Sequence, residues 1–213
     1  NTTVSIQSNY SGNISNGGFV YTSANPTFSF GVNNPNNATI YSTHYEILNS
    51  TTTQSYTYNG SFTLNQNHST ELTMRYRSNS SSGLESWNSL ILSIDPDAPQ
   101  ITLHTNNQTP LRYLSNSTVF VVSYSKPLTV VCNDNQSGVQ NLQYSISNST
   151  TSVNMSSVSI TSNSFTQSHS AVVVNIVCFD NVGNSFSQNI SAILDNEPPV
   201  LSISESGSRG GIC

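Results

Sequence analysis

Asp95-Pro96-Asp97-Ala98-Pro99-Gln100-Ile101-Thr102-Leu103 returns as Asp195-Asn196-Glu197-Pro198-Pro199-Val200-Leu201-Ser202-Ile203, one hundred positions later. That period is the length of a whole domain, so the chain reads as a tandem of similar units. The match extends beyond this acidic, proline-containing linker. Phe28, Phe30, Val32 and Asn34 stand opposite Leu128, Val130, Cys132 and Asp134, and Gly83 stands opposite Gly183. Leu72, Met74 and Tyr76 face Val172, Val174 and Ile176, with a slip in apolar phase expected at Met74. His44 to Thr52 matches Gln143 to Thr151 after a one-residue shift. Two units follow, residues 1–96 and 97–197. Residues 198–213 read as the start of a third unit or as a trailing strand.

Within each unit the pattern is that of short strands. Thr27-Phe28-Ser29-Phe30-Gly31-Val32 alternates polar with apolar, as do Ser145-Ile146-Ser147 and Ser187 to Leu194. Alternation of period two places one face of a strand in a core and the other in water. Asn-Gly, Ser-Gly and Asn-Pro turn pairs separate these runs. Ser, Thr and Asn interrupt every stretch long enough for a helix and compete for its backbone hydrogen bonds. Many short strands at such spacing predict an all-β fold of packed sheets, two β-sandwiches in tandem.

Composition narrows the setting. Charged residues make up 7% of the chain, against about 25% in ordinary soluble domains. Ser, Thr and Asn solvate the surface instead. The apolar fraction of 34% is low, yet the net charge is only −5 and the apolar residues are ordered in strands. Folded units are therefore expected in place of disorder. Five Lys and Arg, without a cluster, argue against nucleic acid as a partner, because phosphate contacts need several cations along one face. No run approaches the roughly eighteen apolar residues of a membrane span, so no direct membrane insertion is expected. Nothing in the first residues reads as a signal peptide, so an exported form starts after cleavage.

Fourteen Asn-x-Ser/Thr acceptors are candidates for glycosylation: Asn1, Asn9, Asn13, Asn37, Asn49, Asn59, Asn67, Asn79, Asn107, Asn116, Asn135, Asn148, Asn154 and Asn189. In a chain so rich in Asn, Ser and Thr many arise by composition alone. The composition itself fits an extracellular glycoprotein.

Cys132 and Cys178 lie 46 residues apart in two apolar strands of the second unit. A disulfide between them would bridge the two sheets, and closing such a loop is worth roughly 3–4 kcal/mol. Two free buried thiols are the alternative. The first unit has Val32 and Ser78 at the matching positions, so the bridge is an addition to the scaffold. Cys213 has no partner left in the chain and is expected to pair outside it or between chains.

Three segments of the second unit resemble a known family. Leu128-Thr129-Val130-Val131-Cys132-Asn133-Asp134-Asn135-Gln136-Ser137-Gly138-Val139, followed by Leu142-Gln143-Tyr144-Ser145-Ile146, is similar to the "apolar strand, Asp, Ser-Gly-Val, Tyr-Ser-Ile" pattern of prokaryotic (bacterial and archaeal) Ig-like repeats of cell-surface proteins. Cys178-Phe179-Asp180-Asn181-Val182-Gly183-Asn184 resembles their "Asp-x-Ala-Gly-Asn" hairpin, and Leu194 to Pro199 their linker. The first unit is a weaker copy, with Ser80-Ser81-Ser82-Gly83 at the hairpin. The resemblance implies tandem Ig-like sandwiches, with the cysteines on strands two and six, in surface layers, filaments or adhesins.

Site expectations are few. Asp134 and Asp180 end strands at one pole of the second unit. A linker acid joins them, drawn from Asp95 and Asp97 or from Asp195 and Glu197. Asp134, Asp180, Asp195 and Glu197 are the calcium candidates, since Ca²⁺ takes six to eight oxygens. The competing reading is that these side chains only close turns. The four histidines lack zinc-ligand spacing. No Gly-x-Ser-x-Gly elbow is present, so no enzyme is expected and no catalytic residue is assigned. Trp87, Tyr76, Arg75 and Arg77 are candidate binding residues, because aromatics and Arg dominate interface hot spots. Core and cross-strand packing is the plainer role for them. The functional expectation is a structural segment of a microbial surface protein, whose partners are neighbouring copies or adjacent domains. The alternatives are an adhesin module that binds glycans or another protein, and a filament subunit joined by strand addition through residues 198–205.

Overall fold

The computed structural model describes residues 1–105, 111–112, 118–122, 127–146, 149–153, 156–161, 171–194 and 201. These residues form nineteen strands and no helix. β1 (Thr2–Ile6), β4 (Thr27–Val32) and β7 (Phe62–Thr63) make a three-stranded sheet in that order. A second sheet runs β2 (Tyr10–Gly12), β3 (Gly18–Thr22), β10 (Asn88–Ile94), β8 (Thr70–Ser80), β5 (Ile40–Leu48), β6 (Thr53–Thr57), with β9 (Gly83–Leu84) paired to β8.

The second half repeats this plan. β11 (Gln100–Thr105), β14 (Leu128–Asn133) and β17 (Ser157–Ile160) form the small sheet. The large one runs β12 (Leu111–Arg112), β13 (Thr118–Val122), β19 (Ser185–Leu194), β18 (Ala171–Asp180), β15 (Val139–Ile146), β16 (Ser149–Val153). Pairing is antiparallel except where β3 meets β10 and β13 meets β19. Among the described residues, no strand of one half pairs with a strand of the other. The chain is thus all-β, built as Ig-like sandwiches in tandem.

Strand alternation sorts the side chains. On β8, Leu72, Met74, Tyr76 and Ser78 turn inward; on β18, Val174, Ile176, Cys178 and Asp180 do. Met74 and Val174 are both fully buried, so the apolar phase does not slip and the hundred-residue offset holds through this strand.

The two cores differ in material. In the first, Phe30 sits among Tyr45, Tyr58, Tyr76 and Phe62, with ring centroids 5.1 to 5.8 Å away. Full burial of a ring such as Phe30 contributes about 1.5–3 kcal/mol, and Tyr58 and Phe62 are partly buried against it. The second core is mostly aliphatic, with Phe120 its one buried ring among the described residues, and is crossed by a disulfide from Cys132 on β14 to Cys178 on β18, which ties its two sheets together. At the matching place in the first, the buried Ser78 hydroxyl meets Thr2 Oγ1 and Thr43 Oγ1 at 2.8 Å each.

Candidate functional sites at the joint and on the first sandwich

Antiparallel pairing of β11 with β14 sets Gln100 opposite Asn133. The end of β14 therefore lies beside the point where the linker enters the second sandwich. Asp134 follows β14, and Asp180 ends β18 at the same pole. The linker acid that reaches them is Asp95. One carboxylate oxygen from each of Asp95, Asp134 and Asp180 lies within 4.8 Å of the others. Asp195 and Glu197 fall outside the described residues.

Backbone donors hold these carboxylates in place. Asp134 Oδ1 accepts from the N–H groups of Gln136 and Gly138, and Asp180 Oδ1 from those of Val182 and Asn184. Asp95 Oδ2 accepts from the Ser137 N–H at 3.0 Å. Asn184 Nδ2 then reaches Asp180 Oδ2 at 2.7 Å, Asp95 O at 2.9 Å and Asp97 O at 3.0 Å. Side-chain turns and convergence on one point are thus both present, and the first does not exclude the second.

Asp95 and Asp180 are fully buried. Burial pushes the Asp180 carboxyl above its ordinary range; the Asn184 side chain and the Val182 and Asn184 amides pull it back, and neighbouring Asp95 pushes it up again. Among the described residues the one Lys or Arg ion pair is Arg75 with Glu46, on another face. Buried like charges without a compensating cation are costly.

The donor set suits a hard divalent cation. Oxygens on opposite sides of Ca²⁺ are about 4.6–5.2 Å apart, given ligand distances of 2.3–2.6 Å. The spacing of the three acids lies within one such sphere. Ser137, whose N–H already meets Asp95, adds a buried hydroxyl without a partner. In the first sandwich the equivalent positions carry Asn34 and Ser80, and Asn34 closes its own loop against Ala38.

Further contacts knit the joint. Gln136 Nε2 donates to Ser69 Oγ and, at 3.2 Å, to Asp97 Oδ2; Ser69 Oγ also meets Asp97 Oδ2. The side-chain amide of Asn9 packs on Gly183, where an added Cβ would lie 2.5 Å from Nδ2. Sequence patterns assign Gln136, Ser137, Asn184 and Asn9 no role in the joint. The antiparallel register of β11 with β14 is what brings Asp95 to this pole.

A second candidate lies on the outer face of the first sandwich. Cross-strand register aligns Thr57, His44 and Arg77 in one row, and Ser55, Glu46 and Arg75 in the next. Arg75 Nη2 meets Glu46 Oε2 at 2.5 Å. The guanidinium groups of Arg77 and Arg75 lie 4.0 and 5.3 Å from the Trp87 ring centre. Arg75, Arg77 and Trp87 are therefore together. Tyr76 is a correction: at 2% exposure it points into the core, because alternation puts it on the face opposite its two arginine neighbours. Ser42 Oγ lies 2.8 Å from His44 Nε2, and Thr57 Oγ1, not a carboxylate, lies near Nδ1.

Of the glycosylation candidates, Asn1, Asn9, Asn13, Asn37, Asn49, Asn59, Asn67, Asn135 and Asn189 are exposed and Asn79 is partly so. Asn107, Asn116, Asn148 and Asn154 lie outside the described residues, as do Cys213 and, apart from Leu201, residues 198–205.

No family model and no curated protein sequence matches the chain. Solved structures do. Fibronectin(III)-like modules of Clostridium thermocellum CbhA share 10% identity over 94% of this chain and 100% of that one, with a TM-score of 0.46. The FN1–FN3 domains of chicken CNTN1 share 11% over 81% of this chain and 62% of theirs, with a TM-score of 0.38. A bacterial ice-binding adhesin shares 12% over 83% of this chain and 61% of its own, with a TM-score of 0.34. At these identities the likeness is one of sandwich fold alone.

Proposed function

We propose that this chain is a structural segment of an extracellular microbial surface protein, in which Ig-like sandwiches are held end to end by structured joints. The observation that carries this reading is the joint itself. Asp95 is fully buried at the meeting of the two sandwiches, and its side chain and carbonyl are held by Ser137 and Asn184 of the second. A loose tether would leave such groups in water. The disulfide supports an oxidising, extracellular setting, and a surface solvated by Ser, Thr and Asn supports exposure outside the cell.

Calcium at Asp95, Asp134 and Asp180 completes the proposal. When bound it would offset two of the three carboxylate charges and stabilise the joint; the residues themselves position one another through their turns. The reading is tested with the whole chain by small-angle scattering and thermal unfolding, in chelator and in added Ca²⁺. A single fixed end-to-end length is expected in both, and a calcium-dependent rise in unfolding midpoint. At a hundredfold excess over the dissociation constant the gain is about 2.7 kcal/mol. Asp134→Asn, which installs the first unit's residue and keeps the turn's acceptor oxygen, should fold normally and lose the calcium response. A range of inter-unit distances would overturn the joint; a wild type indifferent to Ca²⁺ would overturn only the cation.

A further inference from the structure

The outer groove of the first sandwich has a property that end-to-end support does not use. Arg75 is neutralised by Glu46, which Ser55 also holds. Arg77 has no carboxylate and no hydrogen-bond acceptor among the described residues, and its buried Nε is unpaired. Its one strong partner is the Trp87 ring, 4.0 Å below the guanidinium. Stacking of this kind fixes the plane of the fork while leaving its N–H edge available. The chain carries a net charge of −5, so an unpaired, half-buried guanidinium is a local exception that calls for an anion.

The space around it is larger than a bare anion needs. Arg77, Trp87, His44, Thr57 and Glu46, whose carboxylate is already paired with Arg75, line a groove of about 320 Å³, at the lower end of the ~300–1,000 Å³ typical of small-molecule sites. His44 is held by hydrogen bonds with Ser42 and Thr57. Tyr56 is not part of this face: it pairs across the strands with core-facing Tyr45 and stacks on it with centroids 4.9 Å apart. The set therefore combines one unpaired planar cation over an indole ring with the Thr57 hydroxyl and the Arg75-paired Glu46 carboxylate.

We propose that this groove binds the carboxylate of an acidic sugar residue, a uronic or sialic acid. Arg77 takes the carboxylate through its fork, Trp87 holds Arg77 in place, and the Thr57 hydroxyl and the Glu46 carboxylate meet the sugar hydroxyls. The site is remote from Asp95 and stands or falls independently of the joint.

Trp87 is the chain's single tryptophan, so its fluorescence reports this groove directly. The whole chain is titrated with glucuronate-containing oligosaccharides, with sialyllactose, with lactose and with sodium sulfate. Asn79, at the end of the groove, is also a glycosylation acceptor, and Asn79→Gln is measured alongside so that an attached sugar does not fill the site. A saturable change in emission with one of the acidic sugars is expected, weakened by salt, and at least tenfold weaker for Arg77→Gln. Arg77→Lys should weaken binding too, because a point charge lacks the fork. Unchanged thermal unfolding of both variants would show that the fold is intact. The proposal is overturned if neither acidic sugar gives a saturable change, if lactose or sulfate binds as well as they do, or if Arg77→Gln binds as tightly as wild type.

Discussion

Replacing Cys132 and Cys178 together by alanine should destabilise the second sandwich and leave the first almost untouched. The bridge closes a loop of 46 residues, for which the chain-entropy relation gives about 4 kcal/mol at 25 °C. Both sulfurs are buried, and the small voids left behind add roughly 1 kcal/mol each. Against the 5–15 kcal/mol typical of a whole domain, about 6 kcal/mol leaves the second unit marginal. Substitution is preferable to reductant, since it leaves Cys213 as it was. The first unit is an internal control: it has Val32 and Ser78 at these positions, and it contains Trp87. Urea unfolding followed by tryptophan fluorescence therefore reads the first sandwich, while far-ultraviolet circular dichroism reads both. The expected result is a circular-dichroism transition that separates into two steps, the earlier one silent in fluorescence. A loss below about 1 kcal/mol would refute the loop-entropy reasoning. An equal shift of the Trp87 transition would refute the idea that the sandwiches unfold separately.

Glu85 provides a pH test in the first sandwich. Burial alone would raise its carboxyl, but hydrogen bonds from the Thr2 hydroxyl and N–H, the Asn88 amide and the Ser78 N–H bring it down to about 2. A carboxyl lowered on folding stabilises the native state above the ordinary carboxylate range, and that contribution is lost as pH falls toward about 2. Glu85→Gln should cost on the order of 1–3 kcal/mol at pH 7 by Trp87-detected unfolding and show a flatter acid limb than wild type. Equal acid limbs would remove Glu85 from the account. Gly183 and Gly83 form a matched pair, because both have positive φ, +88° and +114°, but only Gly183 meets a neighbour, the Asn9 amide. Alanine at either site should cost roughly 1 kcal/mol through backbone strain. Only Gly183→Ala should also broaden the inter-unit distances seen by scattering; a broadening of the same size for Gly83→Ala would discount the Asn9 contact.

Much of the architecture was legible because its signals are local or periodic. The hundred-residue repeat, the polar–apolar alternation and the absence of helical patterning specify an all-β tandem before any contact is known. Cys132 and Cys178 were legible for the same reason, since each sits at an inward position of an alternating strand. Tyr76 was legible as well, had the alternation been followed: it shares a face with Leu72 and Met74, while Arg75 and Arg77 share the other. Grouping it with the arginines gave weight to residue type over strand face.

The sequence alone thus determined the repeat, the strand faces and the cysteine pair, because each depends on spacing along the chain. Which acid completes the cluster with Asp134 and Asp180 was a matter for the tertiary structure. Asp95 and Asp195 are equivalent in the repeat, and only the antiparallel register of β11 with β14 brings the preceding linker to that pole. The unpaired state of Arg77 was decided there too: Glu46, 29 residues from Arg75, takes that arginine across the β5–β8 pairing and leaves its neighbour to Trp87. Spacing along a strand tells which way a side chain faces, and only the folding of the sheet tells what it faces.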